Sequence, residues 1–278
     1  AAAALSPWPG YTAAMFSGIA FLLAWRLLSE SHTPTEAAQT DRRLFDWQTF
    51  REAFTQRPVG MVLASATLAI FALAGFEATL SVTLADLLNI DRGGAEILIV
   101  FAFIGLIQTL VQGLLVRPLS VRVSEAWLGY SGLAIACLGF AIIAAFSEGE
   151  WASAVMIIVG SGVVAWGLSF VQPALHSLLS RRTSADKQGR VFGLATSLSA
   201  VARIVGVMVA FQARTLSASV PFWSGAALMI ATAVLLAYAL PEAPDTTEEA
   251  PADEDASEAV DYPSGALSVQ GAIADEEA

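Results

Sequence analysis

Apolar residues gather in long runs separated by short polar stretches. The runs are Gly10 to Leu28, with Arg26 near its end, Pro58 to Phe76 continuing past Glu77 to Leu88, and Ile97 to Val116. They continue with Ala126 to Ser147, Trp151 to Ser180, Val191 to Ala213 interrupted by Arg203, and Thr215 to Leu240. A hydrocarbon core about 30 Å thick takes roughly 20 apolar helical residues to cross. The pattern therefore predicts seven transmembrane helices. Between the first two lies a polar stretch in which Trp47, Phe50 and Phe54 recur at i, i+3, i+7 over Asp41 to Gln56. That spacing suits a short amphipathic helix resting on the membrane surface, with docking to a partner as the less favoured reading. From Pro241 onward Ala, Glu, Asp, Pro and Ser dominate, with too little apolar surface to offset the entropy of ordering, so a disordered tail is expected.

Composition agrees with a membrane protein: 56% of the 278 residues are hydrophobic, 14% are charged, and the mean hydropathy is +0.64. The formal charge of −11 comes almost wholly from the tail, where 12 acidic residues meet no Lys or Arg. Residues 1–240 carry 14 basic and 13 acidic groups, net +1, which excludes the basic face a nucleic-acid binder needs. The single cysteine, Cys137, sits in an apolar run and can form neither an internal disulfide nor a thiolate cluster.

Basic residues set the expected orientation. Arg26, Arg42, Arg43, Arg51, Arg57, Arg117, Arg122, Arg181, Arg182, Lys187 and Arg190 fall on one side, and only Arg92 and Arg214 on the other. The first side is expected to be cytoplasmic, putting the N-terminus outside and the acidic C-terminus inside an inner (plasma) membrane. In a Cys137-free background, an impermeant thiol reagent should then label a cysteine at position 149 in intact cells but not one at position 184. The reverse would invert the assignment. No basic region precedes the first run, so it is not read as a signal peptide. The chain opens on Ala1, and its first span looks like one entered from an outside loop, so upstream sequence is expected to be missing.

Several motifs in this order are similar to a known family. Phe76-Glu77-Ala78-Thr79 lies in the outer part of the second span, and Gln112-Gly113-Leu114-Leu115-Val116-Arg117-Pro118-Leu119 followed by Arg122-Val123-Ser124-Glu125 closes the third. Later come Pro173-Ala174-Leu175-His176-Ser177-Leu178, Gln188-Gly189-Arg190-Val191-Phe192-Gly193 and Ala202-Arg203-Ile204-Val205-Gly206. Together, over Gly10 to Leu240, the chain resembles the sixth helix and the C-terminal half of a major facilitator superfamily transporter, in the drug:proton antiporter branch that includes tetracycline-efflux-like proteins. Three positions depart from that pattern: Ser124 for Gly, Ala126 for a second basic residue, and Val207 for Pro.

The resemblance implies an all-α polytopic membrane protein of seven transmembrane helices. Residues 1–28 would be the family's sixth helix, 29–57 a cytoplasmic linker, 58–240 a six-helix bundle built as two three-helix repeats, and 241–278 the tail. It also implies secondary active transport by alternating access, energised by a proton gradient without a cofactor. The small amphipathic substrate would be handled with a missing N-terminal half, and the lipid bilayer would be the other partner. The alternative is a non-transporting membrane remnant, or an interaction module with a partner-binding tail.

Ionisable residues inside a span are costly and so are functional candidates. Glu77 follows nineteen uncharged residues and is the proton-coupling candidate, the alternative being a glutamate solvated at the outer interface. Arg203, with twelve uncharged residues before it and ten after, is the candidate charge partner in a cavity, holding either Glu77 or another anion. Gln108, Gln112 and Gln172 need polar partners within a span and are candidate cavity residues or interhelical bridges. By resemblance Arg117, Arg122 and Glu125 belong to a cytoplasmic gate loop, and His176 is a weak relay candidate near a helix end. Arg181, Arg182, Lys187 and Arg190 form the densest basic cluster, which orientation and anionic-lipid contact explain. Gly105 with Gly113, Gly160 with Gly167, and Gly193 with Gly206 are expected to pack closely against neighbouring helices. The chain has no HExxH, Walker A or GxSxG motif, which argues against an enzyme. Its only lysine, Lys187, falls in a loop, which removes a retinal Schiff base.

Overall fold

A computed structural model describes residues 8–27, 47–90, 94–150, 152–184 and 187–239 of the chain. The linker through residue 46, the acidic tail and Arg92 lie outside the described residues. Among the described residues, seven helices are long and apolar enough to cross a membrane, and the chain is an all-α multi-pass membrane protein. The first, α1 (Trp8–Leu27), forms a unit of its own. Its 20 residues span about 30 Å, and Arg26 in the last turn complements the negative end of the helix dipole.

The second unit begins at Trp47 and holds α2 (Trp47–Thr55), α3 (Arg57–Leu88), α4 (Ala95–Leu110, extended below), α5 (Glu125–Phe146), α6 (Ala154–Arg181), α7 (Gln188–Arg214) and α8 (Val220–Ala239). At its centre α3 packs against α6, α7 and α8, while α5 packs against α6 and α8. Leu63, Leu80, Leu84, Phe140, Phe222 and Met229 are fully buried between them. Phe76 and Phe140 meet edge to face, ring centroids 5.6 Å apart, a geometry favoured by the aromatic quadrupole. Thr79 and Thr83 are buried in this core, and their hydroxyls donate back to the carbonyls of Gly75 and Thr79 at 2.8 and 2.9 Å. Those bonds pair the hydroxyl proton of each of the two threonines.

Glycine decides the tightest helix contact. Gly132 and Gly139 on α5 face Gly167 and Gly160 on α6, each pair seven residues apart on its own helix and matched head to tail. A Cβ on Gly132 would lie 2.7 Å from the Gly167 carbonyl oxygen, and one on Gly139 would lie 2.6 Å from the Val164 nitrogen. The expected Gly160–Gly167 surface is therefore part of a four-glycine seam. Gly105, Gly113 and Gly193 are different: nothing lies within 4 Å of a Cβ added at any of them, so their expected close packing is absent among the described residues.

Local sequence explains several helix ends. Ser124 and Ser153 cap α5 and α6, their Oγ atoms accepting from the amides of Trp127 and Met156. Ser124, which departs from the family pattern, thus has a capping role. Below Leu110, α4 widens into a π-helical turn, Val111–Val116, and ends in Arg117–Leu119. Pro118 has no amide proton and crowds the carbonyl four residues earlier, which a wider turn relieves. Pro173 is carried inside α6, and α7 runs unbroken through Val207, where the family often has Pro. The guanidinium of Arg182 donates to the carbonyl of Ala239, the last described residue of α8.

The α2 helix rests on α3 and α7. Its small face makes the contact: Ala53 is 5% exposed, and a Cβ on Gly60 would stand 3.1 Å from the Phe54 Cα. Phe54 stacks on Phe50 at 4.6 Å and is 40% exposed. So the helix expected to lie on lipid is docked onto the bundle through one face and open along its aromatic edge.

At the opposite end, Glu148 in the α5–α6 loop holds the loop before α8. It accepts from the hydroxyls of Ser217 and Ser219, both at 2.6 Å, and from the Ala218 amide at 3.1 Å. Ser219 in turn accepts from the amides of Phe222 and Trp223 and starts α8 at Val220, five residues later than its apolar run. The two serine hydroxyls pull the Glu148 carboxyl below its ordinary value, with slight desolvation opposing. A lowered folded-state pKa stabilises the loop above the ordinary carboxylate value of about 4.3 and ceases to do so as pH falls through the lowered one. Protection of the Ala218 and Ser219 amides, taken as the exchange rate relative to the intrinsic rate at the same pH, should therefore fall in acid for the wild type. Glu148→Gln should show weaker protection at pH 7 and little further change in acid.

Candidate functional site

The ion pair at the α3–α7 crossing begins with small residues. Ala202, Gly206 and Ala210 repeat every four residues and form the buried stripe of α7 together with Val191. A Cβ on Gly206 would come 2.6 Å from the Phe71 carbonyl oxygen, and one on Gly75 would come 3.0 Å from the Ala210 Cβ. Backbones this close let short reaches connect the two helices. Beside the stripe, Arg203 Nη1 meets Glu77 Oε2 at 3.1 Å. Leu88, at the end of α3, is eleven positions past Glu77, and Arg214, at the end of α7, is eleven past Arg203. Each charge therefore lies about 16 Å along its helix from that end.

A second pair lies toward the same end. Arg214 Nη2 contacts Asp86 at 2.6 Å, and its Nη1 donates to the buried Thr83 hydroxyl at 2.6 Å. The two pairs advance together along both helices, so α3 and α7 run parallel. From the sequence Arg214 reads only as one of the two basic residues on the outer side. The signal available was the repeat itself, Glu77 and Asp86 on α3 against Arg203 and Arg214 on α7 at similar spacing.

The site faces outward from the bundle. Glu77 and Arg203 side chains are 42% and 53% exposed. Of the most apolar stretch of each helix, 61% of positions are buried in α3 and α6, against 22% in α4 and 17% in α7. Within the second unit the open surfaces therefore belong mainly to α4 and α7. Gln108 and Gln112 on α4 and Gln172 on α6 make no hydrogen bond among the described residues, so they are not interhelical bridges here. Between α4 and α6 runs an open, wholly apolar groove, lined among others by Phe103, Ile107, Val159 and Trp166. Gly162 brings the helices together there, since its Cβ would stand 2.8 Å from Ile107 Cδ1.

At the basic end the expected gate residues separate. Glu125, in the first turn of α5, pairs with Arg181 of α6 at 2.8 Å and accepts from Ser177 at 3.3 Å. Arg117 and Arg122 are exposed and do not pair with it among the described residues. The partner of Glu125 is thus supplied by the neighbouring helix rather than by its own loop. His176 is exposed, its ring edge-on to Phe192 at 6.1 Å. Among the described residues, no group of three His, Cys, Asp or Glu is arranged to hold a metal ion.

The tetracycline resistance protein, class C, of Escherichia coli is 26% identical over 231 residues, covering 82% of this chain and 55% of that protein. The class G protein of Vibrio anguillarum is 27% identical over 236 residues, covering 84% and 56%. The multidrug resistance protein MdtH of Edwardsiella ictaluri is 27% identical over 169 residues, covering 59% and 40%. The chain spans about half the length of these relatives. A family model described as Major Facilitator Superfamily matches residues 1–207, most of the chain. On that match, and with helices of the length and apolarity such proteins need, the chain belongs to the Major Facilitator Superfamily of membrane transporters.

Proposed function

We propose that the chain is one of two helical bundles in a proton-coupled exporter of small amphipathic compounds. The observation that carries this reading is the Glu77–Arg203 pair, open on the bundle surface deep within two spans. An ion pair exposed to hydrocarbon is costly, so this face suits a water-filled path or a second bundle. Proton binding at Glu77 would leave Arg203 without its anion and favour a conformation that offers another, which is how a proton can drive a two-state device. The open faces of α4 and α7 and the unpaired amides of Gln108 and Gln112 support a second bundle packed against this one. Relatives named for tetracycline resistance support efflux of a compound of that kind. By the basic-residue bias, Arg57 and Lys187 face the cytoplasm in an inner membrane.

The test is transport in proteoliposomes holding the chain joined to its second bundle. A pH gradient should drive tetracycline, used as the probe, up its concentration gradient, and a protonophore should collapse that accumulation. Accumulation indifferent to the protonophore would remove proton coupling.

A further inference from the structure

We propose that the cleft between α2 and the start of α7 is a binding site for the headgroup of an anionic phospholipid. The cleft is partly open, with a cavity volume of about 30 Å³, at the basic end of the bundle. Its apolar wall is made by Ala53 of α2, Val59 of α3 and Val191 of α7, and its polar wall by Lys187, Arg190 and Ser184. Glu52 also lines it, so two cations face one anion and the formal excess among the lining residues is positive. Thr183, beneath Ser184, is buried, with its hydroxyl proton already given to the Leu179 carbonyl at 2.8 Å; its oxygen can therefore only accept, and recognition of an anion falls to the two cations and the serine.

Three features select a lipid over a soluble phosphate. Val59 and Val191 stand within one turn of the ends of α3 and α7, two helices long and apolar enough to cross a membrane, so the cleft lies at the level of bilayer phosphates. The apolar wall offers contact to a glycerol backbone and upper acyl carbons, which inorganic phosphate cannot use. The exposed Phe54, next to Ala53 in the chain, suits the same interfacial depth, where aromatic rings concentrate. Docked α2 is what makes the cleft: without Ala53 against the bundle, Lys187 and Arg190 would be surface charges with no wall opposite them.

Native mass spectrometry of the intact protein in detergent tests this, with phosphatidylglycerol compared against phosphatidylcholine. The wild type should retain the anionic lipid preferentially. Lys187→Gln with Arg190→Gln should cut that preference by about fivefold per charge, roughly 25-fold together. Lys187→Arg with Arg190→Lys should keep it. Arg117→Gln with Arg122→Gln removes two exposed charges from the same end outside the cleft and should leave it nearly unchanged. An equal loss in the two glutamine pairs would reduce the effect to general surface charge and overturn the site. Displacement of bound lipid by millimolar inorganic phosphate would make it a phosphate site instead, and no preference in the wild type would overturn the proposal outright.

Discussion

Glu77→Gln is expected to reduce proton-driven transport to the level of protein-free liposomes while leaving substrate counterflow in place. The amide keeps the size and one acceptor oxygen of the carboxylate, so the 3.1 Å contact with Arg203 can persist and the α3–α7 crossing need not move. What it cannot do is take up and release a proton. Arg203→Ala should act differently, because it leaves the Glu77 carboxylate deep in a span without its cation. Lower yield of folded protein, with binding and transport falling together, is the expected signature. Proton-driven uptake and counterflow, measured side by side in proteoliposomes, separate the two variants. Unchanged driven uptake in Glu77→Gln would exclude it as the coupling residue and turn attention to Asp86, which holds Arg214 across the same helix pair.

Gly167→Leu should cause the largest loss of stability of any single change in the bundle. The obstacle is the Cβ itself, which would sit 2.5 Å from the Gly132 carbonyl oxygen and 2.8 Å from the Ala136 Cα. No side-chain rotamer relieves a clash at Cβ, and the atoms in the way are backbone, so α5 and α6 must separate. Overpacking costs about 1–3 kcal/mol and sometimes more, corresponding to a fall of roughly 2–12 °C in midpoint for a chain of this size. Gly105→Leu is the matched control, since nothing lies within 4 Å of its Cβ. Cys137 supplies the readout: its Sγ lies 3.7 Å from the Ala226 carbonyl between α5 and α8, and a thiol-reactive dye reports when that contact opens. Equal midpoints for the two leucine variants would show that the seam does not hold the bundle together.

The seven spans were legible from residue order because a charge-free run of about 20 residues has few options in lipid besides a helix across it. The depth of Glu77 and Arg203 was legible for the same reason: helix rise converts residue count to distance. Partner choice was not. Both candidates for close packing, the glycines that meet a neighbour and Gly105, Gly113 and Gly193 that meet none, look alike in sequence, because a missing side chain records capacity for contact and not the presence of a neighbour. Residue types suggested Glu77 as one possible partner of Arg203, yet the stripe of Ala202, Gly206 and Ala210 against Gly75 and Phe71 is what brings the two charges together. Likewise α8 begins at Val220 and not at Thr215 because Glu148, some seventy residues earlier, claims Ser217 to Ser219. Hydrophobic length acts along the chain and can be read from it, whereas pairing between helices depends on which surfaces the packed bundle sets face to face.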